Sequence, residues 1–199
     1  KYLDSANSAL DYLLSLQLEN GRFLTSYEIE KTEDWRPVSS ETAIAVYCLA
    51  KAYMVEPNEK VKTAAEKALD FVIKLQDSCG AIMNCNAQSK GASLQEDNTL
   101  ADLVYTQGYA LMALALANQI FNLENAKTAA IKLAHFLMSI QCNGESVLWD
   151  GAWRGAYSVT KYSWWGRADQ NNVIDEGGMF SVYTGWCAAP IMYGLLQLF

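Results

Sequence analysis

Ala9-Leu10-Asp11-Tyr12-Leu13-Leu14-Ser15-Leu16-Gln17 returns as Ala68-Leu69-Asp70-Phe71-Val72-Ile73-Lys74-Leu75-Gln76, and more loosely as Leu133-Ala134-His135-Phe136-Leu137-Met138-Ser139-Ile140-Gln141. Each copy is a helical pattern that closes on Gln. Gly follows four residues later in the first two copies (Gly21, Gly80) and three residues later in the third (Gly144). Glycine accepts the positive φ that a helix C-terminus and a sharp exit require. The three Gln residues lie 59 and 65 residues apart, too far for one helix and too close for a domain. The repeating unit is therefore a helix pair that buries its apolar face only against neighbouring pairs, and three such pairs fill nearly the whole chain.

Working outward from these phrases, the hydrophobic periodicity predicts six helices near 4–18, 40–55, 59–77, 101–121, 124–141 and 181–198. They come in two kinds. The first, third and fifth are striped: Val61, Ala65, Ala68, Val72 and Leu75 form one apolar line while Lys60, Lys62, Glu66, Lys67 and Lys74 solvate the other face. The second, fourth and sixth are apolar nearly all round, as in Ala43 to Ala50, and are expected to be buried on most sides. Ser39 or Ser40 is placed to cap the second helix, and Thr99-Leu100-Ala101-Asp102 has the spacing of a capping box for the fourth. Pro190 is expected to kink the sixth.

Alternation of striped and all-apolar helices predicts an outer row packed around an inner one. Connections from inner to outer helices are short (Glu56 to Asn58, Asn122 to Leu123), and those from outer to inner are long (22 to 38, 81 to 98, 142 to 180). The long loops are thus expected to share one face with the N-termini of the inner helices, whose partial positive charge and uncapped N–H groups open there. Function is sought on that face.

Composition narrows the class. A chain of 199 residues, 51% apolar and 19% charged, is read as one globular domain spanning 1–199. A net charge of -7 without clustered Lys or Arg argues against nucleic acid. The longest apolar stretch, Tyr183 to Phe199, is interrupted by Pro190 and falls short of the roughly 20 residues that span a bilayer, so no transmembrane segment is expected. No charged, apolar, small-residue signal pattern opens the chain, and its start at Lys1 without Met leaves room for one removed by processing or truncation. Five cysteines cannot all pair and none forms a CxxC, which favours reduced thiols and the cytoplasm, although Cys79 and Cys85 are spaced to close a small loop in an oxidising compartment. The single histidine, His135, lacks neighbours at ligand spacing, so neither a metal nor a cofactor is expected.

Leu16-Gln17-Leu18-Glu19-Asn20-Gly21-Arg22-Phe23, a helix ending in Leu-Gln-x-x-x-Gly, resembles the repeat of the squalene-cyclase and protein-prenyltransferase superfamily. Gly151-Ala152-Trp153-Arg154-Gly155-Ala156-Tyr157, followed by Tyr183-Thr184-Gly185-Trp186, looks like a pattern of uncharacterised prenyltransferase-like proteins. The resemblance implies an all-α, α/α-toroid fold, of which three helical hairpins make an open or half toroid. The repeat's final Trp appears as Phe23 and Ile82, and neither the DxDD acid motif nor a zinc-ligand set is present. Three hairpins leave apolar flanks at both ends, to be covered by sequence preceding Lys1, an N-terminal half of a longer chain, or by a symmetric partner in a homodimer.

Gln17, Gln76 and Gln141 are expected to bind backbone at neighbouring helix ends. The stretch from Gly144 to Gly178 is too long for an idle connection and holds four of the six tryptophans. Aromatic faces interleaved with carboxylates and arginines suit a sugar, whose C–H faces stack on rings and whose hydroxyls take paired hydrogen bonds. The stacking and binding candidates are Trp149, Trp153, Trp164, Trp165, Tyr157, Arg154 and Arg167, with Trp35 and Arg36 approaching from the first loop. Asp150 and Asp169, each near a ring and an arginine, are the acid–base candidates. The first expectation is a carbohydrate-active domain, lyase or hydrolase, or a carbohydrate binder, taking a small-molecule or oligosaccharide ligand. A terpenoid or prenyl-processing enzyme and a non-catalytic repeat scaffold are the alternatives, and an aromatic core folded on itself is the bland reading of the same loop.

Overall fold

A computed structural model describes residues 1–24, 39–83, 99–144, 146–166 and 178–198. Within them lie six α-helices: α1 (Tyr2–Ser15), α2 (Ser39–Val55), α3 (Glu59–Lys74), α4 (Thr106–Phe121), α5 (Glu124–Ile140) and α6 (Ala189–Leu196). A π-helical turn, Thr184–Ala188, leads directly into α6. Three short strands, β1 (Leu100–Asp102), β2 (Ala156–Ser158) and β3 (Ser163–Trp164), form an antiparallel sheet in that order. The molecule is thus mostly helical with a small sheet, and the all-α expectation is corrected by that sheet.

α4 is the centre. Its sequence carries no charged residue, and ten of its sixteen residues are buried. It packs against α2 on one side and α6 on the other, with α3 laid on α2 and α5 laid on α4. Close crossing with α6 uses two glycines without a side chain to spare: a Cβ on Gly108 would sit 2.7 Å from Pro190 Cβ, and one on Gly194 2.7 Å from Leu111 Cγ. Leu49, Leu69, Leu111, Leu114, Leu133 and Leu137 are fully buried between the rows, each contributing about 1.5–3 kcal/mol. Pro190 sits at the start of α6, where its missing N–H is cheap, and marks the change from π to α winding.

The close antiparallel pairs are α2 with α3 and α4 with α5, joined by the short links. Asn58 caps α3 by accepting from Lys60 N at 2.8 Å, and Asn122 turns the chain out of α4 at φ 54°. The predicted outer-to-inner pairs across the long loops touch little. Inner-to-outer pairing leaves α1 and α6 unmatched at the two ends. α1 accordingly has no fully buried residue, although its sequence is striped and Leu10, Leu13 and Leu14 lie half-buried against the core.

The sequence-derived start of α4 at 101 is also corrected. Residues 100–102 extend into β1, pairing Leu100 with Ser158 and Asp102 with Ala156. The helix begins only at Thr106, whose N–H, like that of Val104 before it, is taken by the Asp102 carboxylate. Thr99 therefore does not head a capping box; the Asp102 carboxylate instead holds the turn that leads into the helix. No helix among the described residues is long and apolar enough to cross a membrane.

The three exits from the outer helices share one hydrogen-bond pattern. Leu18 N donates to Arg22 O and Gly21 N to Leu18 O; Asp77 N donates to Ala81 O and Gly80 N to Asp77 O; Cys142 N donates to Ala152 O and Gly151 N to Cys142 O. Gln17, Gln76 and Gln141 each donate Nε2 to the glycine carbonyl of their own exit, Gly21, Gly80 and Gly151. The third repeat glycine is thus Gly151, not Gly144, because the third copy carries an insertion between Gln141 and its glycine. Two residues on, Phe23, Ile82 and Trp153 occupy equivalent places. Thr42 Oγ1 accepts from Phe23 N, Gln107 Oε1 accepts from Ile82 N, and the Cys187 thiol donates to Trp153 O. Each inner helix, or in the third unit the π turn that leads into it, grips its own exit loop in this way.

Candidate functional site

The entry to α4 is built around a buried carboxylate. Asp102 Oδ1 accepts from Val104 N at 2.8 Å and Tyr105 N at 3.3 Å, and Oδ2 accepts from Thr106 N at 3.0 Å and Thr106 Oγ1 at 2.9 Å. Burial pushes its carboxyl above the ordinary carboxylate range, against these hydrogen bonds, which pull it down. Leu103 N donates to Gly155 O, and Arg154 bridges Val182, so the third exit loop is stitched both to this entry and to the segment before the π turn.

On this frame stands a row of rings. Tyr183 and Trp186 have centroids 6.4 Å apart at 40°, Trp186 and Tyr105 6.5 Å at 39°, and Tyr105 and Tyr109 6.3 Å at 44°. Trp186 is 53% exposed, and it sits in the π turn, a winding that aims one extra side chain out of a helix and concentrates at functional sites. Gly185 beside it leaves open space. The Tyr109 hydroxyl is held above its ordinary pKa, chiefly by burial and then by the charge of Asp102. Further along the same helices Tyr47 donates to the Tyr193 hydroxyl at 3.4 Å, linking α2 to α6 across α4. Burial and that contact push Tyr47 up to about 12.

A second aromatic group lies in the third exit loop. The Arg154 guanidinium is 4.3 Å from the Trp149 ring and 5.9 Å from Trp164. Tyr157 meets Trp164 edge-on at 5.3 Å and Phe136 at 5.7 Å. Trp149, Arg154, Tyr157 and Trp164 are thus brought together as expected, but Arg154 is buried among the rings rather than offered to a ligand. Trp153 stands apart, buried and donating Nε1 to Leu137 O at 2.8 Å. Trp165 is half exposed beneath Lys161, whose Nζ is 4.6 Å from the ring. Asp150 lies at the surface of the insertion, accepting from Gly144 N at 2.9 Å. Trp35, Arg36, Arg167 and Asp169 lie outside the described residues, as does Cys85.

Sequence reasoning passed over Tyr105, Tyr109, Tyr183, Trp186 and Asp102 as site residues. Two signals pointed to them: Tyr183-Thr184-Gly185-Trp186, quoted for a family likeness, and the Asp that follows Thr99 at capping distance. His135 is exposed on α5, and no group of side chains among the described residues has the arrangement of a metal site.

No protein-family model matches the chain, and no curated protein matches it. Among solved structures it is similar to one described as a sugar epimerase from a ruminal bacterium, at 17% identity and a TM-score of 0.63. The match covers 95% of this chain and 44% of that one, so the chain spans less than half the length of that protein. At this identity the likeness carries the fold.

Proposed function

We propose that the chain is part of an α/α toroid of the prenyltransferase and squalene-cyclase type whose inner-helix entrances bind carbohydrate. The observation that carries the reading is the chain of ring contacts from Tyr183 through Trp186 and Tyr105 to Tyr109, four neighbouring rings at the start of two inner helices, tilted by 39–44° from one to the next. Tilted, half-exposed rings match the C–H faces of successive sugar residues better than they match a flat cofactor, and tyrosine hydroxyls at the rim supply hydrogen bonds. The toroid reading draws on the two helix rows and on the thrice-repeated exit. The sugar reading accords with the sugar epimerase to which the fold is similar. If the domain is catalytic, a lyase or a hydrolase, Asp150 and Asp169 remain its acid–base candidates, because the Asp102 carboxylate is buried and fully hydrogen-bonded at the entry to α4.

Titration of the protein against neutral and acidic oligosaccharides, followed by tryptophan fluorescence and calorimetry, tests this. Trp186→Ala is expected to weaken binding by roughly two- to tenfold, since one stacked ring contributes about 0.5–1.5 kcal/mol beyond its buried area, while thermal stability stays unchanged for so exposed a side chain. Absence of any binding by the parent, or full binding by Trp186→Ala and Tyr105→Ala together, would sink the proposal.

A further inference from the structure

The repeated exit is a latch, and two of the three latches are closed on a helix. Gln17 Nε2 donates to Ala64 O of α3 at 2.8 Å, and Gln76 Nε2 donates to Ala129 O of α5 at 2.9 Å. These carbonyls lie within the helices, not at their ends. The latch glycines press against the same helices: a Cβ on Gly21 would lie 2.1 Å from Lys67 O, and one on Gly80 2.3 Å from Lys132 O. Only a residue without a side chain brings backbone so close to backbone. The docked helix therefore presents two carbonyls three residues apart, the first to Gln and the second to Gly.

The third latch has the same internal form and no helix on it. Among the described residues Gln141 Nε2 donates to Gly151 O alone, and nothing lies within 4 Å of where a Cβ on Gly151 would be. Beside it runs an apolar groove of about 570 Å³ lined by Trp153, Ala188, Met192 and Leu195. Met192 and Leu196 are 56% and 62% exposed on the flank of α6, the inner helix that lacks an outer partner.

Among the described residues α1 is an outer helix without an inner partner. In α3 the docking face is Val61, Ala64, Ala65, Ala68, Leu69 and Val72, all buried. In α5 the equivalent positions are Ala126, Ala129, Ala130, Leu133, Ala134 and Leu137, again all buried. Counting back from Gln17 by the same intervals gives Tyr2, Ser5, Ala6, Ala9, Leu10 and Leu13, of which the first four are exposed and Leu10 and Leu13 are half-buried against the core. The two carbonyls that a latch would take are those of Ser5 and Ser8, on a face of small residues that permits close approach.

We propose that α1 of a second copy of this chain docks in the groove between the third exit loop and α6. Its Ser5 carbonyl accepts from Gln141 and its Ser8 carbonyl lies against Gly151. The contact is head-to-tail, and it turns the two unmatched helices into a pair of the same kind as α2 with α3 and α4 with α5. A second copy presents its own groove to the first α1, so two chains close on each other if the rotation permits.

Two double variants test this without removing a buried side chain: Met192→Glu with Leu196→Glu closes the groove, and Ala6→Glu with Ala9→Glu spoils the helix. Light scattering on the eluting protein, at micromolar to submillimolar concentration, reads the mass. The parent is expected at twice the 22.1 kDa of one chain or more, each variant alone at one chain, and their equimolar mixture at two chains, because one intact helix then meets one intact groove. A parent that stays at one chain, an assembly that either variant leaves intact, or a mixture that fails to re-form overturns the proposal. Circular dichroism matching the parent establishes that the variants are folded.

Discussion

The second and third units of the repeat leave their outer helices by the same route and arrive in different surroundings. Gln76 and Gly80 close on α5, whereas Gln141 and Gly151 open onto a groove. The hydrogen bonds inside the two exits are nonetheless the same, Asp77 to Ala81 in one and Cys142 to Ala152 in the other. An exit that keeps its form without its partner is shaped by its own residues, by the Gln side chain and a glycine at positive φ, and not by what it docks against. The third exit also tolerates an insertion, which holds Trp149 and Asp150, because the growth occurs on the side away from the latch contacts.

The largest effect that separates the two exits is expected at the glycines. Gly80→Ala combines a φ of +102° with a Cβ 2.3 Å from Lys132 O, and Gly151→Ala combines a φ of +77° with open space. The first should cost more than about 3 kcal/mol in urea unfolding, because two packed backbones must separate. The second should cost only the left-handed strain of about 1–2 kcal/mol. Equal losses would mean that the latch in the second unit is not pressed on α5 as described.

Helices and their order are legible in this sequence because striped and all-apolar patterns differ in period and charge. Boundaries at 39–55, 59–74 and 124–140 fall within a few residues of those expected. The exit of the third copy was misread at Gly144 because glycine spacing alone does not reveal an insertion, and Gly144 itself sits at positive φ. The start of α4 was misread because Leu100 to Asp102 continue its apolar run, while their partners Ala156 to Ser158 lie more than fifty residues away. The ring row was missed for a similar reason. Tyr105 and Tyr109 belong to one unit and Tyr183 and Trp186 to the next, so only the packing of α4 against α6 brings them together.

The entries to the inner helices sharpen the same contrast at smaller cost. α4 starts under Asp102, while α6 starts through a π turn. Asp102→Ala should lose about 2–3 kcal/mol, more than an ordinary cap, because three backbone donors and a hydroxyl lose their acceptor in a buried place. Asp102→Asn isolates the charge. The folded carboxyl titrates above its unfolded value of about 3.9, so the folded state holds its proton longer. Below the unfolded value both states are protonated. As pH rises through the interval the unfolded chain ionises first, and the parent loses stability relative to Asp102→Asn until the folded carboxyl has also ionised. Urea midpoints of the two proteins across that range read the sign, and a parent that gains on the variant with rising pH would show the hydrogen bonds outweighing burial.

The smallest expected difference is at the glutamines. Gln76 Nε2 joins Gly80 O and Ala129 O at 2.9 Å each, both part-buried, so Gln76→Ala should cost about 1–2 kcal/mol for two side-chain to backbone bonds. Gln141 donates to Gly151 O at 2.7 Å at an exposed position, where water replaces the lost partner, so Gln141→Ala should cost less than about 0.5 kcal/mol in a single chain. The two numbers should converge when the groove is filled. If a second copy's α1 supplies the missing carbonyl, the loss from Gln141→Ala grows with protein concentration towards that of Gln76→Ala, while the loss from Gln76→Ala stays constant. Unfolding midpoints at two concentrations a hundredfold apart therefore distinguish a latch that is merely shaped for a helix from one that holds it.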